Sequence, residues 1–256
     1  NMGAELGATT SVFPSDEVTR AFLKAQDRED DWQALSADAD AVYDETIEID
    51  LSALEPLVAR PHMPDNVVTV AEAGPIKVDQ VFIGSCTNSS YQDMMRVARI
   101  LKGKRVHPDV SLVIGPGSRQ VLTMLARNGA LADMMAAGAR ILETACGPCI
   151  GMGQSPRTGA VSLRTNNRNF YARSGTASAG IYLVSCETAA ISALTGVLTD
   201  PRTLEVDLEI PQPEHFEHND NLVIPPVEPG HEAEVEVVRG PNIHPFPLGK
   251  ALTETV

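Results

Sequence analysis

Residues 78–101 read VDQVFIGSCTNSSYQDMMRVARIL, and this stretch decides the fold class. Val78–Ile83 is apolar and β-prone, Gly84–Ser89 is rich in turn-forming residues, and Ser90–Leu101 carries a helical pattern closed by Gly103. That is a strand, a loop and a helix in under thirty residues. The unit recurs downstream. Val110–Ile114 reads as a strand, Gly115-Pro116-Gly117-Ser118 as a loop, and 119–127 as a helix stopped at Asn128-Gly129. A second helix covers 130–137, Ala139–Leu142 is a strand, and Thr144–Gly153 is a glycine-rich loop. Val161–Leu163 and Ile181–Val184 are further strands, and Cys186–Leu194 is a helix closed by Gly196. Strands that alternate with helices predict an α/β fold: a three-layer parallel or mixed sheet with helices on both faces.

The flanks are less patterned. Thr9–Phe13 is β-prone, and Pro14-Ser15 reads as the cap of a helix over 16–26, with Val18, Phe22 and Ala25 as its apolar stripe. Thr46–Ile49 is expected as a short strand, 51–57 as a short helix, and 60–75 as a loop. After 203 the chain is acidic and proline-rich, which predicts extended strands followed by a linker.

At 256 residues the chain can bury a sizeable core without disulfides. No apolar run approaches the roughly 20 residues of a membrane helix, and no signal peptide is visible at the start of the sequence. Four cysteines are too few for a disulfide scaffold and point to free thiols or metal ligands in a reducing, cytoplasmic setting. A net charge of −14 argues against nucleic acid and anionic membranes as partners. The charge is unevenly spread. Residues 76–202 hold 14 basic residues against 7 acids, and within them 144–186 holds Arg157, Arg164, Arg168 and Arg173 with no acid. A small anion feels such a local patch more than the total, because screening acts within about 8 Å.

The cysteines carry the chemistry. Cys86 follows one predicted strand and precedes a helix; Cys146 and Cys149 follow another strand. Loops at the carboxyl ends of parallel strands are where α/β sheets bind ligands, so three thiols on two such loops can converge. The helix start near Ser90 offers a positive dipole end that favours a thiolate. Three readings compete. Cys146-Gly147-Pro148-Cys149 matches a thiol–disulfide redox pair, but Ala145 stands where that reading wants Trp, and no proline lies between Pro156 and Pro201. A structural zinc site wants four ligands. An iron–sulfur cluster tolerates three thiolates when one iron stays open for substrate. Cys186 reads as a small buried hydrophobe.

Four segments in one order resemble the aconitase family. They are Asn1–Phe13, Gly84–Ser90 with Tyr91 and Asp93, Cys146–Gly151, and Asn167-Arg168-Asn169-Phe170 with Arg173. Thr87-Asn88-Ser89-Ser90-Tyr91 and Cys146-Gly147-Pro148-Cys149 look like the aconitate hydratase versions of these motifs. The resemblance implies a 4Fe–4S cluster on Cys86, Cys146 and Cys149, with Arg168 and Arg173 holding the carboxylates of a tricarboxylate substrate. It implies that Asn1 and Asn167 hydrogen-bond around the cluster and that Glu5 belongs to the catalytic network. The implied activity is a hydro-lyase interconverting citrate and isocitrate. Homoaconitase, methylcitrate dehydratase and isopropylmalate dehydratase are the related alternatives.

The match covers most of 1–200 and no more. The family's N-terminal Asp-His and Asp-Ser-His segments and its C-terminal swivelling domain have no counterpart in these residues, so the chain is expected to be a piece of a longer enzyme, inactive by itself. On that reading 1–45 complete a preceding α/β domain, 46–228 carry the three cysteines, and 229–256 lead towards the swivelling domain. The remaining aconitase domains are then the expected partners, beside the tricarboxylate.

Overall fold

The computed structural model describes residues 7–236, 238–244, 247 and 249. The chain divides into two compact units, Asn1–His218 and Asn219–Val256. The first contains α1 (Glu17–Ala25), β1 (Leu57–Ala59), β2 (Val67–Thr69), α2 (Val70–Ala73), β3 (Gln80–Gly84) and α3 (Tyr91–Leu101). There follow β4 (Ser111–Gly115), α4 (Arg119–Arg127), α5 (Ala130–Ala137), β5 (Arg140–Ile141), β6 (Val161–Arg164), β7 (Gly180–Leu183) and α6 (Cys186–Thr195). The second unit carries one 3₁₀ turn, Glu232–Glu234, among its described residues.

The seven strands form one mixed sheet in the order β2-β1-β7-β6-β3-β4-β5. Strands β3 to β7 pair in parallel, and β1 joins β7 and β2 antiparallel. The expected α/β class with a mixed sheet is therefore present. Alternation along β3 separates the two faces. Val81 and Ile83 enter a large core with Met94, Val97 and Ile100 of α3, Met134 and Ala137 of α5, and Ala189, Ala190 and Ala193 of α6. Phe82 points the other way and clusters with Val113, Leu142 and Cys149. The 3₁₀ turn Gly147–Ile150, which carries Cys149, thus packs on the second face of the sheet.

Three helices start from a serine on the loop that leaves a parallel strand. Ser90 caps α3 in a capping box with Asp93, Ser118 accepts from the Val121 amide to cap α4, and Ser185 accepts from the Thr188 amide to cap α6. These caps fix where each loop ends, and so place the loops after β3, β4 and β7 along one edge of the sheet.

The flanks depart from expectation. Thr9–Phe13 and Thr46–Ile49 form no strand. Residues 51–57 are not helical; instead Leu57–Ala59 pairs as a hairpin at the sheet edge with Val67–Thr69, which lies inside the 60–75 stretch expected to be a loop. Edge pairing is set by the neighbouring strand rather than by local pattern. Asp16, not Ser15, caps α1 by accepting from the Val18 and Thr19 amides, and Val18 is largely exposed. No strand follows 203 among the described residues: this stretch is rich in proline, which lacks the N–H a ladder needs.

Core packing and capping make separable contributions. Replacing the fully buried Met94 by Ala is expected to cost about 2–5 kcal/mol. Ser90→Ala, which removes one cap, is expected to cost about 1 kcal/mol. Urea unfolding of the two variants beside the parent checks both.

Candidate metal and substrate site

Two loops build the thiol cluster. The first leaves β3 at Gly84, where an added Cβ would run into the Gly115 carbonyl. Ser85 then adopts a left-handed backbone, φ 79°, immediately before Cys86. A non-glycine residue in that region is uncommon, and such outliers gather at sites whose geometry is imposed by surroundings. Here the surroundings are β6 and the residues after it. The Thr165 hydroxyl donates to the Gly84 carbonyl and accepts from the Gly84 amide, both at 2.9 Å. The Asn88 amide Nδ2 donates to the Thr165 carbonyl at 2.6 Å. The second loop follows β5. A cleft of about 150 Å³ lies between these loops, walled by Ser85, Cys86, Gly115–Gly117 and Thr144–Cys146.

All four cysteines are free thiols; Cys86 and Cys146 are exposed, Cys149 and Cys186 buried. Burial pushes the Cys149 thiol up to about 11, the charge and hydrogen bond of Cys146 push the same way, Arg173 pulls it down, and Cys86 adds a smaller push. The three sulfurs therefore share one electrostatic neighbourhood. Cys186 stands apart. Its Sγ lies 3.3 Å from the Asn88 carbonyl, and burial drives its thiol well above the ordinary range.

The arginine-bearing loop docks on the cysteine loop. Gly151 has φ 91°, and a Cβ there would enter the Ser174 carbonyl. The Ser174 hydroxyl donates to the Cys149 carbonyl at 3.4 Å. Ala172, directly before Arg173, is also left-handed, φ 62°. Asn169 ties the loop down by donating to the carbonyls of Arg60 and Ile181, at 2.9 and 3.1 Å.

The four arginines of the cationic stretch separate into different roles. Arg157 pairs with Asp79 at 2.5 Å. Arg168 is exposed, and Asn167 beside it is half-buried. Arg173 stacks near the Phe170 ring at 5.5 Å, and its buried Nε lacks a hydrogen-bond partner. Arg164 is wholly buried at the end of β6. Sequence reading counted Arg164 in the patch but gave it no role; a cation ending an otherwise apolar strand segment is the signal that marks it. Asn1 and Glu5 lie outside the described residues.

The α3 dipole plays less part than the sequence implies. The Ser90 and Asp93 amides are bound within the capping box by Asp93 Oδ2 and Ser90 Oγ, so the helix satisfies these donors itself.

Among the described residues, no three His, Cys, Asp or Glu side chains are arranged for one metal ion. A single ion needs its donors around one point at about 2.0–2.3 Å. A cluster differs, because each thiolate binds a separate iron and the sulfurs stand further apart. Three thiols on two strand-end loops, with the loop that carries the buried and unpartnered Nε of Arg173 bonded to the Cys149 carbonyl through Ser174, fit a cluster better than a single ion. The packing predicts an order of thiol reactivity. In the native chain, alkylation should mark Cys86 and Cys146 and spare Cys149 and Cys186. Gly151→Ala should expose Cys149 and leave Cys186 protected, as peptide mapping of the labelled protein would show.

Comparison with known proteins bears on the family. The family model described as "Aconitase family (aconitate hydratase)" matches residues 1–196. The 3-isopropylmalate dehydratase large subunit 1 of Thermotoga maritima is 47% identical over 209 residues, 79% of this chain and 49% of that protein. The 3-isopropylmalate dehydratase large subunit of Elusimicrobium minutum is 44% identical over 205 residues, 80% and 49% of the two chains. The large subunit 2 of Archaeoglobus fulgidus is 43% identical over 203 residues, 79% and 49%. The chain spans about half the length of the curated relatives it matches. These relatives carry the name of the isopropylmalate alternative, not that of the citrate–isocitrate reading drawn from the motif versions at Thr87–Tyr91 and Cys146–Cys149. With a family model spanning 196 of its 256 residues, the chain belongs to the aconitase family.

Proposed function

We propose that this chain is the cluster-bearing part of a hydro-lyase acting on a branched hydroxy-dicarboxylate of the 3-isopropylmalate kind, with Cys86, Cys146 and Cys149 as the cluster ligands. The observation that carries the reading is that Cys86 and Cys146 wall one cleft, while Ser174, on the loop that holds Arg168 and Arg173, bonds the Cys149 carbonyl. The substrate class follows the names of the relatives. A large subunit implies a smaller one, so a second polypeptide and further chain are proposed as the partners that complete the enzyme.

When bound, the cluster's open iron supplies a Lewis acid that polarises the C–O bond of a substrate hydroxyl. The chain's own groups bind and orient. Arg168 and Arg173 grip the two carboxylates, for which a guanidinium fork is suited. The buried, unpartnered Nε of Arg173 gives that guanidinium a donor to spend on an anion. Ser174 and Gly151 keep this loop against the cysteine loop, so substrate and metal are held in fixed register. The family resemblance assigns Asn167 and Asn1 to hydrogen bonding around the cluster and Glu5 to the active-site network; Asn1 and Glu5 lie outside the described residues. Cys149 gives up its proton on loading, as a metal-bound thiolate must.

The test has two parts. Anaerobic loading of the chain should bind about four irons and give a broad visible absorption, and Cys86→Ser, Cys146→Ser and Cys149→Ser should each reduce the iron bound. Tight zinc, or a reversible Cys146–Cys149 disulfide without metal, would refute the cluster reading. The assembled enzyme should form an unsaturated diacid from 3-isopropylmalate faster than it forms cis-aconitate from citrate. Arg168→Ala and Arg173→Ala should each raise KM by roughly 10–100-fold, the scale of a charged hydrogen bond. Preference for citrate would overturn the substrate assignment.

A further inference from the structure

A second cleft, of about 550 Å³, opens between the β1–β2 hairpin, the end of β7 and the loop that follows Cys86. Its apolar walls include Leu57 and Val67 of the hairpin and Leu183 of β7; its polar lining includes Asp65 and Asn166. Leu57 and Val67 are each 44% exposed, so the hairpin presents bare apolar surface beside an exposed carboxylate. Asn166 is the opposite case. It is 6% exposed, and its buried Oδ1 has no hydrogen-bond partner. An acceptor buried and left unpaired is costly, and in a native fold it calls for a donor. None of the residues that line the cleft is basic, and Asp65 is the one that carries charge. A carboxylate brought here meets a like charge and an oxygen lone pair, so the cleft rejects the diacid that the neighbouring arginine loop suits. It suits an apolar stem that ends in N–H donors and a positive charge. Arginine and lysine side chains have that form.

We propose that this cleft is the docking socket for a basic side chain of the second polypeptide. The alkyl stem lies against Leu57, Val67 and Leu183, and the head is shared between the Asp65 carboxylate and Asn166 Oδ1. This rests on the reading that a second polypeptide completes the enzyme. An aliphatic side chain would fill the walls and leave Asn166 Oδ1 unpaired, which decides against it. The net charge of −14 on the chain favours a cationic partner surface in the same sense. Thr87 and Asn88, which follow Cys86 directly, also line the socket. The docked side chain therefore shares a wall with the loop that carries Cys86.

Blocked amino-acid amides test the socket: N-acetyl-argininamide, N-acetyl-norleucinamide and N-acetyl-glutamic acid amide, each followed by saturation-transfer NMR on the full chain. The arginine probe should bind most tightly, and added salt should weaken it. Asp65→Asn should weaken it about 2–5-fold, the scale of an exposed ion pair. Asn166→Leu should weaken it about 10–100-fold, the scale of a hydrogen bond to a charged group. Leucine removes an unpaired buried acceptor and nearly keeps its shape, so the urea midpoint of Asn166→Leu should equal or exceed the parent's. A lower midpoint would make Asn166 a structural group and count against the socket; if that variant does not fold, Asp65→Asn and the salt dependence decide. In the assembled enzyme the socket is already filled, so the arginine probe should no longer bind. Equal binding of the three probes, or undiminished binding to the assembled enzyme, would overturn the proposal. A chain that joins no second polypeptide in sedimentation would instead sink the reading beneath it.

Discussion

A guanidinium removed from water must find acceptors, and for Arg164 half of them are carbonyls of the cysteine loop. That requirement shapes the centre of the molecule. It fixes the turn carrying Cys149 on the second face of the sheet, against Phe82 of β3. Phe82 in turn fills the space beside Gly84 and Gly115, where a Cβ would meet its ring at 3.1 and 3.2 Å. The strand ends can therefore approach closely, and the loops that follow them carry Cys86 and wall the cleft shared with Cys146. The Thr165 hydroxyl, one residue beyond Arg164, bonds both polar backbone atoms of Gly84. Two adjacent side chains at the end of β6 thus tie both cysteine loops to one strand.

Most of this architecture was legible in the chain because its signals are local. The helices at 119–127 and 130–137 are bounded by a serine cap, Asn128-Gly129 and Gly138, and they form where those residues place them. Convergence of the cysteines was legible for a topological reason: loops at the carboxyl ends of parallel strands share one edge. The hairpin at 57–69 was not legible, since three-residue strands take their pairing from β7 and not from their own pattern. Arg164 was visible only as charge, because three of its four acceptors lie 10 to 84 residues away. Docking of Gly151 on Ser174 is likewise a contact between distant loops.

The surroundings of the site are apolar as well as polar. Ile150, Met152, Phe170 and Tyr171 are all more than two-fifths exposed around the cysteine and arginine loops. An exposed apolar rim of this kind marks a surface that meets another protein, a membrane or a ligand, and on the proposed reading other protein covers it. It agrees with a chain spanning about half the length of its relatives. On this account the chain contributes the thiols, the arginine clamp and the rigid sheet edge, while the covering surfaces exclude water and supply the remaining acid–base groups.

The central claim is that Cys86, Cys146 and Cys149 hold one iron–sulfur cluster. Iron K-edge X-ray absorption of the anaerobically loaded chain tests it most directly. The account predicts an iron shell dominated by sulfur, with iron–iron scattering beyond it that is lost from the triple Cys→Ser variant. A shell of nitrogen and oxygen without iron–iron scattering, or the same spectrum from the triple variant, would contradict it.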